Sequence, residues 1–136
     1  MFVTFFLGIL DLVTGEIKYT NAGHNPPVII RKNGEIELFE VSKSIPVGLF
    51  ETVTYPESSI SFLQGDKLVL YTDGVTEAEN CEKKLYSTER LVEILRMHTE
   101  ASPRELIRYV EEDVTAHAGS NPQSDDITMM TLVYNG

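Results

Sequence analysis

A chain of 136 residues with 11 basic and 21 acidic side chains, net charge −10, has room for one hydrophobic core and lacks the cationic surface that non-specific nucleic-acid binding needs. Its 42% hydrophobic and 24% charged content is that of an ordinary folded domain, and no apolar run reaches the roughly 18 residues that span a bilayer. A single cysteine, Cys81, excludes an internal disulfide, and no signal-peptide pattern opens the chain, so a cytoplasmic protein is expected.

Residues 1–12 are apolar on both alternating faces, Met1, Val3, Phe5, Leu7 and Ile9 against Phe2, Phe6 and Leu10, which suits a strand covered on both sides or one packed inside a sandwich. Val13-Thr14-Gly15-Glu16 turns the chain back into a partner strand at 17–20. After Gly23-His24-Asn25-Pro26-Pro27, the run Val28-Ile29-Ile30 leads to Asn33-Gly34, a pair suited to a type I′ hairpin. The returning strand carries Ile36 and Leu38 on one face, with Glu35 and Glu37 facing water. Residues 42–51, with Pro46 and Gly48, read as a crossing loop. A strand within 52–62 leads to the Gln64-Gly65-Asp66 turn, and a buried strand at 67–72 delivers Asp73 to its end.

The period then changes. A helix near 88–98 carries Leu91, Val92 and Leu95 on one face. Ser102-Pro103-Arg104-Glu105 combines an N-cap serine, a proline at the first helical position and a capping-box glutamate. Leu106, Ile107, Val110 and Val114 follow at helical spacing, and Gly119 is the expected stop. A polar loop at 120–124 precedes a last strand at 127–134. Strands and helices are segregated, so the class is α+β.

Two acidic motifs sit at the edges of apolar strands: Tyr71-Thr72-Asp73-Gly74-Val75-Thr76-Glu77-Ala78 and Ser124-Asp125-Asp126-Ile127-Thr128. Each alone reads equally well as a turn, since Asp-Gly and Asp-Asp are common loop residues. Beside a buried strand, however, a charge is costly unless compensated, and a divalent cation with oxygen ligands is the usual compensation. If the strand before Asp73 and the strand after Asp125 are antiparallel neighbours, the acids meet at one sheet edge and build a hard-metal site.

With Met1-Phe2-Val3-Thr4 and Asp11, and with Asn21-Ala22-Gly23-His24-Asn25-Pro26-Pro27, these motifs stand in the order and separation of a known family. Across essentially its whole length the chain resembles the metal-dependent serine/threonine protein phosphatases (PPM) of the SpoIIE/RsbU branch of bacterial signalling. The resemblance implies an antiparallel β-sandwich with flanking helices and two Mn²⁺ or Mg²⁺ ions at one edge. Asp73 and Asp125 match the family's metal-ligating aspartates; Asp126 stands where distant relatives carry Asn. The ions would ionise a water for in-line attack on phosphoserine or phosphothreonine. The implied substrate is a phosphorylated regulatory protein of anti-anti-sigma type, and Cys81 takes no part.

His24 is implied as a general-acid candidate; the other reading is that Asn21 and His24 hydrogen-bond locally to shape the loop before Pro26. Asp11 equally serves as a hairpin-entry residue, and Glu77 as a brace for the loop after Asp73. The sequence departs from the family by lacking the Gly-Asp-Phe-Tyr-Asp-like motif whose aspartate bridges both metals. Residues 1–136 are therefore expected to be the C-terminal portion of a phosphatase domain with its N-terminal part missing. Little or no activity is expected of the chain alone, and its exposed strands predict a homodimer. The alternatives are a non-catalytic interaction module with the same fold, and a β-rich binding domain with coincidental acidic turns.

Overall fold

Two short apolar runs, Val28–Ile30 and Lys67–Tyr71, decide the architecture, because both of their faces are buried. The chain is described here by a computed structural model covering residues 1–40 and 45–136. Among the described residues there are seven strands: β1 (Phe5–Leu10), β2 (Glu16–Ala22), β3 (Val28–Ile30), β4 (Ile36–Leu38), β5 (Ser58–Ser61), β6 (Lys67–Tyr71) and β7 (Met129–Val133). Three helices accompany them: α1 (Asp73–Thr76), α2 (Ser87–Met97) and α3 (Pro103–Ala118). The strands form a three-stranded sheet, β1-β2-β5, and a four-stranded sheet, β4-β3-β6-β7, with antiparallel pairing throughout.

The pleat sorts side chains into two cores. Ile29 of β3 and Leu68 and Leu70 of β6 face the three-stranded sheet, where they meet Ile17, Tyr19, Phe39, Phe62 and Tyr134. Val28, Ile30, Val69 and Tyr71 point the opposite way, beneath Leu91, Leu95, Leu106 and Val110 of α2 and α3. The molecule is thus a sandwich of two sheets with helices on one outer face, an α+β fold as expected. Continuous rather than alternating apolarity in β3 and β6 follows from this double burial.

The helices form where the local signals place them. Ser102 Oγ accepts from the Glu105 amide at 3.4 Å while the Glu105 carboxylate accepts from the Ser102 amide at 2.9 Å, a closed capping box. Arg90 of α2 holds Asp113 of α3 through two bonds of 2.8 and 2.9 Å. No helix among the described residues is long and apolar enough to cross a membrane.

One open reading is decided and two expectations are corrected. β1 packs in the sandwich through one face only: Phe6 and Leu10 point inward, while Leu7 is 54% and Ile9 71% exposed. Periodicity reports that a face is apolar and cannot report what lies over it. The hairpin at Asn33-Gly34 forms, but not through a type I′ turn. Gly34 alone takes positive φ, at 88°, with its amide on the Arg31 carbonyl at 2.9 Å. Asn33 instead uses its side-chain oxygen to accept from the Glu35 amide at 3.0 Å, giving a three-residue loop with glycine in the left-handed position. The strand expected within 52–62 is confined to Ser58–Ser61. The crossing loop expected at 42–51 lies partly outside the described residues; from 45 onward it contains no strand, only an isolated bridge from Val47 to Val3.

Candidate metal centre

The conditional pairing on which the acidic motifs depended is realised. β6 and β7 are antiparallel neighbours with Tyr71 opposite Met129, so the residues leaving β6 and those entering β7 emerge at the same end of the sheet. One step beyond the last pair, the Thr72 amide donates to the Thr128 carbonyl at 3.0 Å. The Thr72 hydroxyl donates to the Asp126 carbonyl at 3.0 Å and accepts from the Thr128 amide at 3.0 Å. Asp73 then opens α1, a single turn closed by the Glu77 amide on the Asp73 carbonyl at 2.8 Å. Gly74 lies directly against the Asp126 carbonyl, leaving no room for a Cβ.

Asp73, Asp125 and Asp126 are all exposed. The expectation that these acids pay a burial cost is therefore overturned: the strands beside them are buried, and the chain surfaces at the acids themselves. Asp125 Oδ1 accepts from the Asp126 amide at 2.7 Å. No other hydrogen bond or ion pair reaches the three carboxylates from the described residues. Their remaining lone pairs face solvent.

His24 is brought to the same end of the sheet, because β3 begins shortly after it and runs antiparallel to β6, with Val28 opposite Val69. Burial pushes the His24 imidazole below its ordinary pKa, and the negative charge of Asp73 partly opposes that. The loop itself is closed by Asn21, whose Oδ1 accepts from the His24 amide and whose Nδ2 donates to the His24 carbonyl, both at 2.8 Å. The local shaping of the loop is thus present, alongside the proximity to Asp73. Asp11 does what a hairpin-entry residue does: its Oδ1 accepts from the Val13 and Thr14 amides at 2.8 and 3.1 Å, which holds its carboxyl below the usual range. Cys81 is exposed and free.

The donor chemistry suits a hard divalent cation, since carboxylates and backbone carbonyls offer oxygen only. The donor count does not enclose one: among the described residues no three His, Cys, Asp or Glu side chains converge. An ion held here would keep most of its coordination positions for water, as Mg²⁺ commonly does. Sequence reasoning missed Thr72 and the contact beneath Gly74. A threonine following a strand carries no signal of its own, and the glycine looked like a turn residue.

Comparison with known proteins bears on the family and the fold. The chain is 33% identical to protein IcfG of Synechocystis sp. over 99% of its own length and 21% of that protein's. It is 37% identical to the phosphoserine phosphatase RsbP of Bacillus subtilis over half of its length, spanning 17% of that protein. It therefore spans about a fifth or less of these relatives. Among solved structures, the RsbU and RsbW domains of a Mycobacterium tuberculosis protein superpose with a TM-score of 0.77 at 25% identity, over 97% of this chain and 36% of that one. The phosphatase domain of SpoIIE from Bacillus subtilis, in a crystal presoaked with Mn, superposes at 0.70 with 19% identity, over 97% and 56%. The family model of stage II sporulation protein E matches residues 1–135, and the chain belongs to that family, the SpoIIE/RsbU branch of the PPM phosphatases.

Proposed function

We propose that residues 1–136 form the C-terminal portion of the catalytic domain of a metal-dependent protein-serine/threonine phosphatase of bacterial signalling. Its substrate would be a phosphorylated regulatory protein of anti-anti-sigma type, and its setting the cytoplasm. The observation that carries this reading is the meeting of Asp73 with Asp125 and Asp126 at one end of β6 and β7, with carboxylates exposed and nearly free of protein partners. The names of the relatives support it: RsbP is a phosphoserine phosphatase, and one solved relative joins an RsbU to an RsbW domain.

In this reading Asp73 and Asp125 hold Mn²⁺ or Mg²⁺, and Asp126 contributes less directly. Such ions, when bound, neutralise phosphoryl charge and acidify water for in-line attack. The chain's own part is positional. The β6–β7 ladder fixes the spacing of the two acidic segments, and the Asn21–His24 loop holds His24 within electrostatic reach of Asp73. His24 is the candidate proton donor to the leaving serine oxygen; burial works against its charged form and Asp73 works for it.

Calorimetric titration with Mn²⁺ tests the reading. Weak binding by the wild-type chain is expected, and Asp125→Asn should abolish it; unchanged binding in that variant refutes the assignment. A phosphoserine peptide with Mn²⁺ should be turned over slowly or not at all by this chain alone, because two acidic segments do not fix a pair of ions.

A second reading, a non-catalytic interaction module with the same fold, draws on the exposed Leu7, Ile9, Leu12 and Val13 around β1. Both readings accommodate a homodimer through that edge. Light scattering at micromolar concentration checks it, and a monomeric mass would exclude the dimer.

A further inference from the structure

The two acidic segments are separated by some fifty residues of chain, and their side chains do not touch one another through any hydrogen bond between Asp73 and Asp125 or Asp126. What ties them is the backbone around them and one hydroxyl. Past the last ladder pair, Tyr71 with Met129, one backbone bond remains, from the Thr72 amide to the Thr128 carbonyl at 3.0 Å, and it stops two residues short of Asp126. The Thr72 Oγ1 extends the tie: it donates to the Asp126 carbonyl and accepts from the Thr128 amide, each at 3.0 Å. It thereby straddles Ile127 and fixes the path of the chain as it leaves Asp126. On the other side Gly74 abuts the same Asp126 carbonyl. The residues immediately before and after Asp73 therefore both bear on one peptide group, that of Asp126.

We propose that Thr72 is a positioning residue of the acidic site: its hydroxyl sets the placement of the Asp125–Asp126 segment relative to Asp73, and so tunes divalent-cation affinity without touching the cation. The proposal rests on the metal-binding reading given above. A hydroxyl is required because one atom must donate to a carbonyl and accept from an amide at once; a methyl group does neither. Serine keeps this capacity, whereas valine keeps the shape and loses it. Partners that orient a ligand without binding the metal commonly change affinity by about 10–100-fold when removed. The same loss should free the Thr128 amide, which then has no side-chain acceptor.

The experiment is Mn²⁺ titration by calorimetry on the full chain with wild type, Thr72→Val, Thr72→Ser, Asp73→Asn and Asp125→Asn, with amide hydrogen exchange at Thr128 on the same samples. Thr72→Val should weaken Mn²⁺ about tenfold or more and speed exchange at Thr128, and Thr72→Ser should stay within about twofold of wild type in both. A Thr72→Val protein that binds Mn²⁺ like wild type, while either aspartate variant loses it, overturns the role of Thr72 and leaves the metal reading standing. If neither aspartate variant changes Mn²⁺ affinity, the metal reading falls and the proposal with it. If Thr72→Ser loses affinity as far as Thr72→Val, the hydroxyl is not the cause and the proposal is overturned. A melting temperature that drops in Thr72→Val without any change in affinity marks a purely structural tie and also overturns it.

Discussion

β6 carries an aspartate at each end, and the two are used in opposite ways. Asp66, one residue before the strand, is 1% exposed, and its carboxylate accepts three hydrogen bonds from the protein. Oδ2 accepts from Arg31 Nη1 at 2.8 Å and from the Leu63 amide at 2.9 Å, and Oδ1 from the Lys32 amide at 2.9 Å. Arg31 in turn forks onto Glu37 with two bonds of 2.9 Å. Asp73, two residues past the other end, is exposed and has no such partners among the described residues. A carboxylate that holds a fold together spends its lone pairs on the protein, and one that serves a ligand must keep them. The contrast separates a structural clasp from a proposed site within a single strand.

The largest effect is expected from breaking the clasp. Asp66→Ala leaves the Leu63 and Lys32 amides without their acceptor and a largely buried Arg31 short of one charge partner. Losing one partner of a buried pair costs about 3–5 kcal/mol, and urea denaturation should register it as a lowered midpoint. A change below about 1 kcal/mol would place Asp66 with ordinary surface pairs.

Acid should dissolve the same clasp. Burial alone would raise the Asp66 pKa, but the bonds from Leu63, Arg31 and Lys32 outweigh it and hold the carboxyl below its ordinary value. A depressed folded-state pKa contributes stability that is complete above the unfolded value, about 3.9, and is lost as pH falls through the folded one. The stability gap between wild type and Asp66→Asn should therefore be constant from pH 7 to about 5 and shrink only below about 4. Thermal melts of both proteins across that range measure it, and a gap that closes near neutrality would assign the pH dependence elsewhere.

At the other end of β6 the close approach of two backbones is the thing to break. Gly74→Ala drives a methyl group into the Asp126 carbonyl, which belongs to backbone and has little room to yield. Overpacking of this kind costs about 1–3 kcal/mol, readable in the same denaturation experiment. If the variant is as stable as wild type, the acidic segments are less tightly apposed than the geometry requires.

How far the sequence revealed all this depended on whether the signal was local. α3 was legible end to end, because Ser102, Pro103, Glu105 and Gly119 are cap and stop signals that act within one turn. β6 was legible because an apolar run bounded by turn residues has few other uses. The meeting of Asp73 with Asp125 and Asp126 could be stated only as a condition, since it hangs on which strand lies beside β6. Asp66 was legible as a turn residue but not as a clasp, because its partner Arg31 comes from a different hairpin. Which face of β1 would stay open could not be told, since Leu7 and Ile9 register as apolar whether or not anything covers them. Thr72 stood in the motif without a role of its own; that role exists only once two distant segments are side by side.

The smallest effect on stability should come from the acids most important to the proposed function. Asp73→Asn and Asp125→Asn remove charges that form no salt bridge among the described residues and that stand in solvent. Surface substitutions away from packed or bonded features usually change stability by less than about 0.5 kcal/mol. Each variant should therefore melt within a degree or two of wild type, roughly what that energy implies for a domain of this size. Mn²⁺ should divide the two ends of β6 most cleanly. Added to wild type it should raise the melting temperature in proportion to its binding, because it binds the folded state alone. That rise should vanish in Asp73→Asn and Asp125→Asn. It should persist in Asp66→Asn, because residue 66 is buried at the opposite end of the strand. A Mn²⁺ shift lost in all three variants would erase the distinction between clasp and site.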